Sequence, residues 1–464
     1  MHYPAADLVI DPVLIRQYDV SGPRYTSYPT ADRFVEAFGE TELRQWLAKR
    51  SIGGVGQPLS LYVHLPFCDT LCYYCGCNKV VTRDHTKSSK YIKYLEKELA
   101  LLDPALGNVR EISQMHWGGG TPTFLSHEEM RALVAAIDRH FRRAPDCESA
   151  IEVDPRSAAP GTLELLAALG FNRVSLGVQD FDPQVQKAVH RLQSEEETRR
   201  VVGEARASGF RSVNIDLIYG LPRQTLDGFN RTLDRVIELD PDRIALYSYA
   251  HLPKVFMPQR RIAEADLPSA EAKLQILSLA IGRLTRAGYL YIGMDHFARP
   301  DDELALAQSQ GRLQRNFQGY STHGGCDLIG LGVSSISSIG NVYAQNAVTT
   351  MEYETLIEDG HLPIRKGIAV DDDDLLRADV IQALMCYDRL DFDDFDASHG
   401  IDFRNYFKSE LERMQPLAQD DLIELEADGI NITAKGRRLL RCIAMVFDRH
   451  MAEIDTDKRF SRAI

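Results

Sequence analysis

Cys68, Cys72, Cys75 and Cys77 fall within ten residues and account for half of the eight cysteines in the chain. The first three are spaced Cys-x3-Cys-x2-Cys. Three thiolates on so short a loop can hold three irons of a four-iron cubane, and the fourth iron stays open to a small molecule. A zinc ion held by all four cysteines is the competing metal. Structural zinc, however, draws its ligands as two separated pairs rather than one short run, so the spacing favours the cluster. Cys147, Cys326, Cys386 and Cys442 are scattered singly and read as packing residues.

A second constellation is polar. Gly118-Gly119-Gly120-Thr121-Pro122 would let a backbone approach a ligand closely, because no Cβ intervenes. It lacks the Gly-Lys-Ser/Thr ending of a phosphate loop. Glu152, Gln179, Arg191 and Asp216 each lie near the end of an expected strand or helix. Any one of them alone reads as a solvated surface residue. Their recurrence at the same end of successive strands argues for a shared ligand, with Asp216 suited to ribose hydroxyls and Arg191 to a carboxylate.

These residues need a scaffold, and the pattern supplies one from about Leu59 onward. Strands are expected over Leu59 to Leu65, Ile112 to Trp117, Ala150 to Val153, Arg173 to Val178, Ser212 to Ile218 and Arg243 to Tyr249. Amphipathic helices are expected between them, over Tyr91 to Leu102, His127 to Phe141, Thr162 to Leu169, Glu195 to Ala207 and Leu226 to Leu239. Repeated β then α units imply a parallel sheet, and polar clusters after nearly every strand favour a barrel or partial barrel. In the first strand, Tyr62 and His64 share one face and Leu61, Val63 and Leu65 the other.

The expected organisation is an irregular arm over 1–55, a catalytic (β/α) barrel over 56–360 and a mostly helical C-terminal domain over 361–464. That last domain carries a hairpin signal at Leu422 to Thr433, and the acidic run Asp371 to Asp374 reads as a solvated helix start. With 464 residues, 44% hydrophobic and 26% charged, the chain reads as a globular enzyme. No stretch nears the ~18 continuous apolar residues of a membrane span. A net charge of −14 disfavours nucleic acid and anionic membranes as partners. Met1 to Asp7 show no secretory leader, which makes the cytoplasm the expected compartment.

The cysteine spacing after a first strand, with Tyr74 before the third cysteine, resembles the radical S-adenosylmethionine superfamily. Longer stretches resemble one family within it, the oxygen-independent coproporphyrinogen III oxidases. They are GPRYTSYPTA (Gly22 to Ala31), YVHLPFCDTLCYYCGCN (Tyr62 to Asn78), HWGGGTPT (His116 to Thr123), IEVDP (Ile151 to Pro155), LGVQD (Leu176 to Asp180), NIDLIYGLP (Asn214 to Pro222), YSYAHLP (Tyr247 to Pro253) and DLIGLGVSS (Asp327 to Ser335).

The resemblance implies a [4Fe-4S] cluster on Cys68, Cys72 and Cys75 and two bound molecules of S-adenosylmethionine. Tyr62, Gly119, Glu152, Ala250 and Ile336 would contact the first molecule. Tyr74, Gly120, Thr121, Gln179, Arg191 and Asp216 would contact the second. It also implies coproporphyrinogen III as substrate, a one-electron reductant protein such as a flavodoxin or ferredoxin, and a monomer. No catalytic residue beyond cluster and cofactor is assigned, and Cys77 is not a cluster ligand. Arg24 and Tyr25 in the arm are candidates for a lid, with Arg24 a partner for a substrate carboxylate. The rival is a haem chaperone of the same superfamily, which shares the cluster motif but generally lacks the arm and the Cys75-Gly76-Cys77 pair.

Overall fold

The computed structural model describes residues 12–18, 20–50, 57–108 and 110–451. Met1 to Asp7, where no leader is expected, and the expected boundary at residue 55 lie outside them. The chain forms two compact units, Ala31–Asp216 with Gly325–Val370, and Met1–Thr30 with Leu217–Gly324 and Asp371–Ile464.

In the first of these units the strand Leu59–Leu65 has the limits its alternation predicts. It lies between two parallel neighbours, Glu111–Gly119 and Asp327–Leu331. Arg142–Val153 and Arg173–Gln179 extend the parallel ladder. On the other side Ile336–Ile339, Val342–Asn346 and Ile364–Ala369 continue it antiparallel. That extension has no counterpart in the sequence reading, because its short strands carry few apolar residues in period two.

Helices Thr86–Leu106, His127–His140, Thr162–Ala168 and Glu195–Ala207 fall where the amphipathic stretches predict them. Two begin with a capping box, Ser126 with Glu129 and Ser194 with Glu197, which satisfies amides the first turn leaves unpaired. One long helix carries a buried acid. Glu98 accepts hydrogen bonds from Gly332 N at 2.8 Å, Asn346 Nδ2 at 2.7 Å and the Tyr353 hydroxyl at 2.6 Å. These donors give a buried carboxyl partners it would otherwise lack, and they tie the helix to the far end of the unit.

In the other unit, helix Leu226–Leu239 has its predicted limits. Strand Arg243–Ser248 pairs antiparallel with His296–Ala298, which in turn pairs with Leu290–Gly293. The C-terminal segment builds an aromatic core in which Phe392, Phe395, Phe403, Phe407 and Phe447 pack together. Tyr25 and Tyr28 of the GPRYTSYPTA arm are buried in that same core. The Tyr25 hydroxyl donates to Asp448 at 3.0 Å, and Tyr28 Oη accepts from Arg449 N at 3.1 Å. The arm is thus plugged in by its aromatic residues rather than left loose as a lid.

The predicted hairpin is present as Ile423–Leu425 paired with Gly429–Ile432, and Arg389–Asp391 adds a further strand on the outer side of Gly429–Ile432. The acidic run does start a helix, Asp372–Cys386, with Asp371 capping Asp374 N. It is not simply solvated. Asp374 is buried, and Arg449 pairs with Asp371, Asp373 and Asp374 together. Among the described residues no helix is long and apolar enough to cross a membrane.

Candidate active site

The cysteine loop follows directly on the first strand and is held from both ends. Thr82 N donates to the Cys68 carbonyl at 2.9 Å, and Tyr73 N to the Val189 carbonyl at 2.9 Å. Lys79 Nζ reaches the carbonyls of Cys75 at 3.1 Å and Cys77 at 3.3 Å. All the described cysteines are free thiols.

The sulfurs sit in different surroundings. Burial pushes the Cys68 thiol up to about 11, against a contact from Thr121 Oγ1 at 3.6 Å. A hydrogen bond from Cys77 brings Cys75 down to about 6, with Lys79 adding its charge. Cys72 is buried, and Arg156 Nη2 and Arg191 Nη1 each approach its sulfur at 3.7 Å. Two guanidinium groups thus converge on a single sulfur of the loop. Three thiols on one loop, one of them supported in this way, fit an iron–sulfur cluster.

Around that loop the strand ends converge, and register explains how. Tyr62 is level with His116 and Leu65 with Gly119 in the parallel ladder. The Tyr62 and His116 rings stack at 5.9 Å, and the Tyr62 hydroxyl lies 3.1 Å from His64 Nδ1, so Tyr62 and His64 do share a face. His116 Nε2 meets Glu152 at 3.2 Å, and the same carboxylate accepts from Gly119 N at 3.2 Å. Burial pushes the Glu152 carboxyl up, but the hydrogen bond and charge of His116 prevail and hold it below the usual range.

Glycine is required at two positions of this turn. Gly119 has φ +116, and a Cβ there would come within 2.7 Å of the His64 ring. A Cβ on Gly120 would lie 2.6 Å from the Pro66 carbonyl group, which is backbone and cannot swing aside. Gly120 N and Thr121 N donate to the carbonyls of Leu65 and Phe67, each at 2.8 Å, so the glycine turn lies directly along the start of the cysteine loop.

Gln179 ends the strand Arg173–Gln179 at φ +70, a conformation that strains a non-glycine residue, and its Oε1 is buried without a hydrogen-bond partner. Arg191 is also buried. It pairs with Asp154 at 3.0 Å and donates to the Gly177 carbonyl, while its Nε has no partner. Burial opposes ionisation of Asp154, yet Arg191 and Arg156 hold it down to about 2. Tyr74 lies within electrostatic reach of Arg191, Cys72 and Cys75.

Asp216 accepts from Ser175 Oγ at 3.0 Å and Asn214 Nδ2 at 2.7 Å. Burial, then the charge of Glu152, still raises it to about 7. Ile336 begins the first antiparallel strand, level with Gln345. Ala250 belongs to the other unit, where its carbonyl accepts from Gln259 Nε2 at 3.1 Å.

Four residues that support this site escaped the sequence reading as functional. They are His116, Arg156, Ser175 and Asn214. His116 shares register with Tyr62, and Arg156 stands two residues after Asp154 in a turn that its backbone N closes onto Asp154 at 3.1 Å. Those spacings were the available signals.

Residues 62–236 match the Radical SAM superfamily and residues 370–439 the HemN C-terminal domain, so the class is that of radical S-adenosylmethionine enzymes. That class brings a [4Fe-4S] cluster and S-adenosylmethionine, and the donor set described above suits them. More narrowly, the chain belongs to the family of oxygen-independent coproporphyrinogen III oxidases.

It is 52% identical over 456 residues to the oxygen-independent coproporphyrinogen III oxidase of Pseudomonas aeruginosa, covering 98% of each chain. It is 49% identical over 454 residues to that of Escherichia coli, again over 98% of each. The solved coproporphyrinogen III oxidase (HemN) of Escherichia coli, described as a radical SAM enzyme, matches with a TM-score of 0.90 at 48% identity. That match covers 96% of this chain and 99% of the other. The fold class is accordingly α/β, a partial parallel (β/α) barrel of the radical SAM type with a mostly helical C-terminal domain.

Proposed function

We propose that this protein converts two propionates of coproporphyrinogen III into vinyl groups without O2, giving protoporphyrinogen IX. The observation that carries the reading is identity of 52% across 98% of the chain to an oxidase of that name, with the cysteine loop and its arginine partners intact. In each conversion a propionate gives up one hydrogen atom, one electron and CO2, and the remaining two carbons form the vinyl. A bound cluster supplies the electron that splits S-adenosylmethionine into methionine and the 5′-deoxyadenosyl radical that takes the hydrogen.

The chain's own residues position and protect these partners. Cys68, Cys72 and Cys75 would hold the irons. Two molecules of S-adenosylmethionine would bind, the first on Tyr62, Gly119, Glu152 and Ile336, to which the family resemblance adds Ala250. Glu152 suits a methionyl ammonium because His116 keeps its carboxyl ionised. The second would lie on Tyr74, Gly120, Thr121, Gln179, Arg191 and Asp216. The unpartnered Gln179 Oε1 and Arg191 Nε suit an ammonium and a carboxylate.

The remaining proposals follow from the same reading. They are an arm over 1–55, a catalytic barrel over 56–360, a C-terminal domain over 361–464, a flavodoxin- or ferredoxin-like electron donor, a monomeric state and a cytoplasmic location. The test supplies coproporphyrinogen III, S-adenosylmethionine and a chemical reductant to anaerobically purified protein. Release of CO2 with formation of protoporphyrinogen supports the reading. Tight haem binding with no product would replace it with the chaperone.

A further inference from the structure

Three large apolar side chains stand in water beside the cysteine loop. Val81 is 43% exposed, Val348 49% and Met351 77%. Val81 is level with Cys68 in the short parallel ladder that Phe67–Cys68 forms with Val80–Val81. Val348 is tied to the other end of the loop, where its carbonyl accepts from Asn78 Nδ2 at 2.9 Å. Met351 lies in helix Thr350–Glu358, and the Lys90–Glu354 pair at 2.6 Å holds that helix against Thr86–Leu106. All of these residues belong to the Ala31–Asp216 and Gly325–Val370 unit. Single exposed apolar residues are ordinary, but three gathered around one loop mark an interaction surface.

Charge selects the partner. Arg83, Lys87 and Lys93 are exposed and, among the described residues, form no ion pair. Lys87 stands one turn before Lys90, as Met351 stands one turn before Glu354, so the cation borders the apolar centre. The carboxylates nearby have partners of their own, Asp84 in Thr86, Glu354 in Lys90, Glu358 in Lys97 and Glu352 in Arg365. Glu128, which lines a groove with His85 and Lys93, has none, and positive charge stays in excess. In a chain of net charge −14 such a patch attracts an acidic partner that the rest of the surface repels. An apolar centre with a charged rim is the anatomy of a protein interface. The patch is also joined to the loop by packed rings. The exposed His85 stacks on Phe124 at 4.2 Å, and Phe124 stacks at 5.3 Å on Phe67, the residue before Cys68.

We propose that Val81, Val348 and Met351, with Arg83 and Lys87 at their rim, form the docking surface for an acidic flavoprotein that supplies the electron of the reaction. This rests on the electron-donor reading above. The dimethylbenzene edge of a reduced flavin is apolar and fits the apolar centre, while acidic residues around it meet the cations. The flavin is oxidised by one electron, which reduces the cluster held on the cysteine loop, and no covalent bond forms or breaks. Electron-transfer encounters need only a small contact area, which suits a patch of three side chains.

The test uses cluster-loaded, full-length protein with a bacterial flavodoxin as the probe and dithionite as the small-molecule control. Titration calorimetry reads flavodoxin binding, and bleaching of the visible absorbance reads cluster reduction. Arg83→Glu combined with Lys87→Glu should raise the Kd and the KM for flavodoxin roughly 10-fold, through like-charge contact, and leave the rate at saturating flavodoxin unchanged. High salt should shrink that difference, because it screens exposed charges. Met351→Asp should weaken binding at any salt. Reduction by dithionite should match the wild type's in both variants, which shows that they fold and carry the cluster.

Wild-type affinity for flavodoxin in both variants, or an equal loss of reduction by dithionite, overturns the docking surface. Reduction by a plant-type ferredoxin and none by flavodoxin overturns the flavin assignment. Binding to phosphatidylglycerol vesicles in place of flavodoxin replaces the protein partner with a lipid surface. Flavodoxin-dependent cluster reduction without decarboxylation of coproporphyrinogen III would instead keep the docking surface and refute the proposed reaction.

Discussion

Arg191 Nη1 lies 3.7 Å from the Cys72 sulfur and 3.0 Å from Asp154 Oδ2, so one guanidinium joins a sulfur of the cysteine loop to a strand-end acid. Arg156 makes the same two contacts from the other side, at 3.7 Å and 2.6 Å. Cys72 therefore lies in a cationic clamp whose charge Asp154 balances.

Arg191→Gln should leave Asp154 with Arg156 alone and destabilise the protein by on the order of 1–3 kcal/mol. It should also weaken S-adenosylmethionine binding, because the unpartnered Nε is lost with the guanidinium. Denaturant melts and equilibrium dialysis read the two effects separately. Unaltered affinity for S-adenosylmethionine would remove Arg191 from the second cofactor site.

Cys72→Ala should abolish both cluster and cofactor cleavage, since two thiolates hold a cubane insecurely. Anaerobic wild-type protein is expected to be brown with about four irons per chain. Iron analysis and detection of 5′-deoxyadenosine check this. Retention of full cleavage by the variant would refute the ligand assignment, and stoichiometric zinc in a colourless wild-type protein would end the radical reading.

Gly120→Ala should be the most damaging alanine substitution in the glycine turn, because its Cβ meets the Pro66 carbonyl group at 2.6 Å. A strain of about 1–3 kcal/mol is expected from such overpacking, together with a displaced cysteine loop. Thermal melts of the variant, with iron content as the second readout, decide it. A melting transition equal to the wild type's would show that the loop can retreat.

Glu98 and Asp216 are both raised to about 7, each chiefly by burial. The folded protein therefore binds their protons more tightly than the unfolded chain, where such groups titrate at about 4. Their stabilising contribution is full below about pH 4 and is lost as the pH climbs to about 7, so the melting temperature of cofactor-free protein should fall between about pH 4 and about pH 7 and level off above that. Glu98→Gln and Asp216→Asn should each flatten that slope. A steeper or identical slope in both variants would assign the pH dependence elsewhere.

Much of this architecture is written locally. The strand Leu59–Leu65 and the helix Leu226–Leu239 begin and end where their periodicity does, because each buries one regular face and is bounded by turn residues. The cysteine loop and the strand-end polar residues are equally legible, since spacing alone carries them.

What stayed hidden depends on distant partners. Arg389–Asp391 is too short to show a period, and it becomes a strand only because Gly429–Ile432 lies beside it. Asp374 looks like any acid at a helix start until Arg449 and His450 cover it. Val81, Val348 and Met351 carry no motif, and they border one loop only once the chain is folded.

The acid at the centre of the Ala31–Asp216 and Gly325–Val370 unit also sets an order of events during synthesis. Glu98 leaves the ribosome 234 residues ahead of Gly332, 248 ahead of Asn346 and 255 ahead of Tyr353. At ~5–20 residues per second its helix waits on the order of tens of seconds for every donor that will cover it. During that interval the carboxyl stays ionised in water and the parallel neighbour Asp327–Leu331 of the first strand does not yet exist. The nascent segment therefore stays open on that side until Gly325–Val370 arrives and closes it, and that burial raises the affinity of the Glu98 carboxyl for a proton.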